Sequence, residues 1–384
     1  MSIDRVCDAA SSKPVTGGKK RVGSIDALRT VMCVGIALNH FVPYFFGNGD
    51  VELHVSSYFS YFTDIFAVLA GLFAFPYLKR EWSRRTYYDF IVARTGRLYP
   101  LHFVTMAFYV LLAVPIHLGI TTPENVDRYT LDALIPHITL THAWGLGPAM
   151  AFNYPSWMTS AIFGCYLILP LLSMAHRTSR RSMAPLLVVA VAAAAACAWM
   201  LDSEITRLQR EGLGILRALP SFLFGMLLGQ LRLSCPSKAG SSLLVVAALL
   251  MAFGPSEPLE GVARLVVLYL LVYAVLLLDS SGLKTPLQLR WLQAGAAFSF
   301  GVYLWHGLVA TVLFRIALPE TLDANLLRLG NDSPLLAYCL IASGVGAAFL
   351  LAAISLRTIE RYGGEFFVRA FSRTRPTAGA DERC

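Results

Sequence analysis

Between residues 25 and 356 the sequence is a succession of apolar stretches of about 20 residues, each closed by a short polar break. A helix of that length rises about 30 Å, the depth of a bilayer's hydrocarbon core, where only helices and closed barrels satisfy their own backbone groups. Ten stretches can be read: 25–46, 57–78, 98–119, 157–175, 183–201, 213–231, 239–254, 261–278, 294–318 and 334–356. Together they consume most of the 56% of residues that are apolar, so no sizeable soluble domain remains. The chain reads as an all-α polytopic membrane protein with about ten transmembrane helices. The first stretch carries Asp26, Arg29 and His40 with no small-residue cleavage site after it, and reads as a retained helix.

The net charge of +8 would suit a nucleic-acid binder only if its basic residues shared one solvated face. They alternate sides of a membrane instead. With the N-terminus in the cytoplasm, 25 of the 32 Lys and Arg residues fall on the inner side, clustered at 5–29, 79–97, 177–181, 232–238, 284–290 and 357–383. Arg128, Arg207, Arg210, Arg217, Arg264, Arg315 and Arg328 fall outside. This is the positive-inside pattern, and it places both termini in the cytoplasm. It divides the chain into a basic tail (1–22), a transmembrane domain (23–357) and a second basic tail (358–384), and excludes nucleic acid as a partner. Seven Cys residues in no ligand-like or paired spacing exclude a disulfide scaffold or zinc ribbon.

The longest connection, 120–156, falls outside and holds Asp127, Asp132, His137, His142 and Trp144. A loop of that length is expected to fold, with a short helix near 131–140, and either to cover a site or to form a plain re-entrant cap with no chemistry. Ionisable residues within spans are functional candidates because hydrocarbon penalises them. Arg29 and His40, 11 residues apart, share one helical face about 16 Å apart along the axis. His40, Asp64 in the second span and His306 in the ninth come out at similar depth. Arg94 and Arg97, at i and i+3, share a face at the inner mouth of the third span and suit phosphate binding. A lone intramembrane His can also serve as an interhelical hydrogen-bonder, and an Arg pair as a membrane anchor. His102 reads as interfacial, and His54, His117 and His176 as loop residues.

In combination these positions resemble the acyltransferase-3 family of bacterial membrane proteins, which O-acylate glycans and other exported molecules. The residues carrying the resemblance are Asp26-Ala-Leu-Arg29 with His40, Asp64-Ile-Phe66 with Ala70-Gly71, Arg94-Thr-Gly-Arg97-Leu-Tyr99-Pro100 and Ser299-Phe-Gly-Val-Tyr303-Leu-Trp-His306, in that order over about 22–357. Two positions depart from the family pattern: Ala70 replaces a Ser, and the fourth-span motif reads Trp157-Met-Thr-Ser160-Ala-Ile162, with Ile162 where the family has a carboxylate.

The resemblance implies an inner-membrane O-acyltransferase that takes an acyl group, acetyl above all, from cytoplasmic acyl-CoA. Acetyl-CoA would be a donor substrate; no tightly bound cofactor or metal is implied. The acceptor would be a hydroxyl of an exported carbohydrate, with polysaccharide-assembly machinery as a possible partner. Arg29, Arg94 and Arg97 would grip the phosphate-rich end of the donor, whose pantetheine arm would run up the face leading to His40. His40 would act as base or acyl carrier with Asp64 holding its tautomer, and His306 would polarise the carbonyl. Tyr303, Trp157 and Ser160 would contact substrate. A transporter or flippase of a lipid-linked glycan also fits ten spans with buried charge, although no inverted repeat is visible. A catalytically impaired binding relative is the third reading, because of Ile162.

Overall fold

The computed structural model describes residues 23–120, 126–231, 240–243, 245–247, 260–281, 284–318 and 326–371. It is helical throughout, with no strand among these residues. Seven helical runs are long and apolar enough to cross a membrane. An eighth is a pair bent by 47°. Gly214–Gln230 is apolar but shorter. Nine of the ten expected stretches therefore coincide with helices. Most of the other, 239–254, lies outside the described residues, as do the first tail and residues 372–384. The start of the second expected tail is an ordered helix.

The helices that matter for the site are α1 (Gly23–Phe41), α2 (Thr63–Ala74), α3 (Arg84–His117), α4 (Leu134–Ile138), α5 (Trp157–Leu167), α6 (Leu169–Thr178), α7 (Met183–Met200), α8 (Gly214–Gln230), α9 (Glu260–Ser281), α10 (Ser299–Val309), α11 (Pro334–Ser355) and α12 (Arg361–Phe371). α3 begins well before the apolar stretch read at 98–119. Ser83 caps it reciprocally with Thr86, and the Arg-rich segment that follows favours helix, so the helix includes a polar extension that hydropathy does not see. The break between α5 and α6 follows from Pro170, which lacks the N–H a continuous helix would need. Both α10 and α11 pass into π-helical turns, Ala310–Ala317 and Leu356–Glu360.

Small residues decide how the inner helices meet. A Cβ at Gly71 of α2 would collide with the Phe222 carbonyl of α8, and one at Gly225 of α8 with the Val68 carbonyl of α2. The two backbones are thus in direct contact along a parallel seam, with Arg217 and Asp64 near its start and Gly229 against Phe75 at its end, the kind of approach that lets helices associate when lipid supplies no hydrophobic drive. Gly301 of α10 meets Ala352 of α11 in the same way. α1, α2, α8 and α10 supply the interior, with Ile36, Ala37, Val68, Phe222 and Val302 at 2% exposure or less. α7 instead turns Val188, Val189 and Trp199 outward, as expected of a lipid-facing helix.

Gly225→Ala is expected to lower the thermal midpoint of the detergent-purified protein, by overpacking worth about 1–3 kcal/mol. Gly346→Ala in α11, with no atom within 4 Å of the new methyl, should leave the midpoint unchanged or raise it.

Candidate active site

His40 ends α1 and His306 lies in the second half of α10. Their rings stack at 5.1 Å between centroids and 29° between planes. Equal depth, read from residue counts, has become contact. α1 and α10 run in the same sense, because Arg29 near the start of α1 donates to Ser299 Oγ at the start of α10 (2.8 Å), while the His pair meets further along both. The His306 Nδ1–H donates to the Val302 carbonyl one turn back (3.2 Å), since only a protonated nitrogen can face that acceptor. The other nitrogen, Nε2, is therefore an unprotonated acceptor, buried and without a hydrogen-bond partner among the described residues. Neither nitrogen of His40 is hydrogen-bonded among those residues; its ring contacts are His306 and the edge of Tyr154 (5.0 Å).

Asp64 is not the partner of His40. Arg217 of α8 engages its carboxylate, with Nη2 at 2.6 Å and Nε at 3.1 Å from Oδ2. Both side chains are buried, at 0% and 2% exposure. The same guanidinium donates to the Thr206 carbonyl, Gln209 Oε1 (2.8 Å), Thr63 Oγ1 (3.2 Å) and the Ser60 carbonyl (3.3 Å). The Trp157 ring packs against it at 4.9 Å. Arg217 had counted among the outer charges, yet a buried carboxylate requires a cation, and α8 carries no other.

The residues expected to contact substrate make bonds within the protein. Ser160 Oγ donates to the Leu140 carbonyl (2.7 Å) and accepts from the Ala143 N–H (3.2 Å), which fastens the 126–153 segment to α5. The Tyr303 hydroxyl donates to the Pro155 carbonyl, and Trp157 supports Arg217. At the other end, Arg94 lies over the rings of Tyr77, Phe90 and Tyr166 at 5.1–5.5 Å, and Arg97 is exposed on the side of Glu360. The two guanidiniums of the pair thus face different neighbours. The Gly96 backbone between them packs against Gly364 of α12. Ile162, where the family has a carboxylate, packs among apolar side chains.

The segment 126–153 does fold, through two 3-10 turns and the short helix α4. Three imidazoles that received little weight from sequence anchor it. His137 and His142 stack at 3.9 Å, His102 stacks on His142 at 5.8 Å, and all three have no exposed surface. His102 is therefore interior, not interfacial. Its Nε2–H donates to the His137 carbonyl (2.8 Å), the His137 Nδ1–H donates to the Ala133 carbonyl (2.8 Å), and His142 Nε2 meets Ser156 Oγ (3.1 Å). The rings lie face to face, and no group of three His, Cys, Asp or Glu side chains suited to a metal occurs among the described residues. Burial holds His137 down to about pKa 4 and His142 well below the usual imidazole range.

The segment also delivers Arg128 beside the pair. Its Nη2 donates to Tyr109 Oη (2.8 Å) and Thr311 Oγ1 (3.2 Å), its Nε to the Phe152 carbonyl (3.4 Å), and its guanidinium lies 4.5 Å from the Tyr154 ring that His40 touches. Sequence reading passed over it because charge sidedness explains an outer arginine without a site.

The acyltransferase-3 family model, described as an acyltransferase domain, matches residues 22–353. The chain belongs to that family. It is a membrane acyltransferase, and the enzyme reading prevails over transport. "Acyltransferase MdmB" of Streptomyces mycarofaciens is 27% identical over 320 residues, which are 75% of this chain and 79% of the relative. No solved structure matches.

Asp64→Asn would strand the Arg217 charge and should cost about 3–5 kcal/mol in equilibrium unfolding, whereas the paired change Asp64→Leu with Arg217→Met should cost markedly less. The acyltransferase also gains a pH limit from its cap. His137 and His142 are buried neutral, so acid favours states in which they are exposed and charged. Stability of the segment is complete above about pH 6.5 and falls as the pH drops toward 4. Hydrogen exchange of 126–153 should therefore accelerate across that window, and much less in a His137→Gln, His142→Gln variant.

Proposed function

We propose that this acyltransferase is an inner-membrane O-acyltransferase that moves an acyl group, acetyl above all, from cytoplasmic acyl-CoA to a hydroxyl of an exported carbohydrate. The observation that carries the reading is the His40–His306 stack, in which the buried His306 keeps an unprotonated Nε2 without a partner among the described residues. Transfer from a thioester to an alcohol needs a base for the hydroxyl proton, and neutral imidazole is suited to that at physiological pH.

The division of labour between the two rings follows from their partners. His306 has its tautomer fixed by the Val302 carbonyl, as Asp64 was expected to do for His40, and presents a lone pair; it is the base. His40 has no fixed tautomer and can offer an N–H to the acyl carbonyl or to the acceptor. Arg29, at the far end of α1, is the donor-side cation on the same pair of helices, with Arg94 and Arg97 in the first half of α3. The acceptor enters beneath the 126–153 segment. With both termini in the cytoplasm, as the charge distribution favours, that segment faces outward and the Arg-bearing ends face CoA.

His306→Ala and His40→Ala should each lower transfer of radiolabelled acetyl from acetyl-CoA by about 10²-fold or more, with thermal midpoints near that of the parent protein. An unchanged rate in either variant would remove that ring from the mechanism. The acceptor is read by comparing NMR spectra of exported polysaccharide from cells with and without the protein. Identical O-acetyl signals would count against a carbohydrate acceptor.

A further inference from the structure

Buried arginines pay for their desolvation with a counter-ion, and Arg217 has one. Arg128 does not. It is half-buried, its bonds go to a phenol, a hydroxyl and a carbonyl, and no carboxylate pairs with it among the described residues. Its Nη1 makes none of these bonds. The fold works to hold it there. Phe152 takes a left-handed backbone at φ +42°, rare for an aromatic residue, and its N–H donates to the Arg128 carbonyl (2.7 Å) while its own carbonyl accepts from Arg128 Nε. Thr311, a little over one turn beyond His306, and Tyr109, whose hydroxyl is close to Gly307, fix the other side of the fork. The guanidinium therefore sits against the same stretch of α10 as His306, separated from His40 by one ring.

We propose that Arg128 is the oxyanion-binding residue of the acyl-transfer site: its unengaged Nη1 takes the negative charge that forms on the acyl carbonyl oxygen during transfer. This rests on the acyltransferase reading above. In the step itself the acceptor oxygen bonds to the carbonyl carbon as its proton passes to His306 Nε2, and the C=O π pair moves onto the carbonyl oxygen. When that pair returns, the C–S bond breaks, its electrons leave with the CoA sulfur, and the sulfur takes the proton from His306. Thioester, alcohol and both imidazoles start uncharged, so a cation lacking a counter-ion in the resting site gains its partner only in the tetrahedral state. Such an interaction lowers the barrier without tightening substrate binding.

The test uses purified full-length protein in detergent, acetyl-CoA as probe and released CoA thiol as readout. R128Q is expected to lower kcat by about 10²–10³-fold with KM for acetyl-CoA and the thermal midpoint little changed, and R128K to recover part of the loss. If R128Q does not fold, R128K and T311V carry the test. Each keeps a cation but aims it differently, and a fall in kcat of about tenfold at constant KM supports the assignment. Wild-type kcat in R128Q, or in both substitute variants, overturns it. So does a loss confined to KM, which would make Arg128 the receptor for a fixed anionic group on a substrate. Absence of CoA release from the unaltered protein would remove the acyl-CoA reading together with this one, and is distinct from either result.

Discussion

The Asp64–Arg217 pair is the contact on which the arrangement depends. Lipid is as apolar as leucine, so helices inside a bilayer gain little by hiding apolar faces from it. What fixes their rotation is polar bonding and close backbone contact. Arg217 reaches α2 through Asp64 and Thr63, the turn before α2 through Ser60, and the connection before α8 through Thr206 and Gln209, with Trp157 of α5 against its plane. The glycine seam between α2 and α8 sets the distance at which that fork can close, and the fork selects one rotational setting of the seam. α5 is held at Trp157, and α5 in turn carries Ser160, which fastens the cap.

Two guanidiniums, Arg217 buried and Arg128 half-buried, thus lie in one molecule with opposite electrostatics. Arg217 is neutralised and surrounded by acceptors, none of them on His40 or His306; its bonds are structural. Arg128 has an aromatic face, two hydroxyls and a carbonyl, groups that solvate a cation without cancelling it. A chain could not hold such a residue on a free loop. It is held here because the cap is pinned independently, by Ser160, by the stacked imidazoles of His102, His137 and His142, and by Asn153, which donates to Thr105 Oγ1 at 2.8 Å.

Reading the sequence recovered what depends on axial position. The apolar stretches coincide with helices, and the shared depth of His40 and His306 became a stack. It failed where azimuth or partner choice decides. Asp64 lies at a plausible depth for His40 but points toward α8, and no residue count reveals that. Arg217 and Arg128 were hidden by the charge count that otherwise worked, because an arginine on the less basic side attracts no notice in such a tally. Ser160 and Tyr303 sit in motif positions that suggested substrate contact, yet their hydroxyls are already bonded to the carbonyls of Leu140 and Pro155. The imidazole stack joins α3 to a loop more than 30 residues away, so only the folded chain brings it together.

The same packing bears on how a donor reaches the imidazoles. The face of α1 that leads from Arg29 to His40 carries Cys33, Ile36 and Ala37, each at 2% exposure or less, and Cys33 bonds the Ser299 carbonyl at 3.2 Å. A pantetheine arm cannot lie along that face while α1 and α10 remain in this contact. A donor held at Arg29 and reacting at His306 must either part these helices or pass beside them. Parting them breaks the Arg29–Ser299 bond, and a phosphate at Arg29 is a stronger acceptor than the Ser299 hydroxyl it would replace. Under the proposed donor-binding role of Arg29, donor binding and loosening of the α1–α10 contact are linked through one guanidinium. Both α10 and α11 already leave the α-helical register in the π-helical turns that follow them, a form found mostly at functional sites.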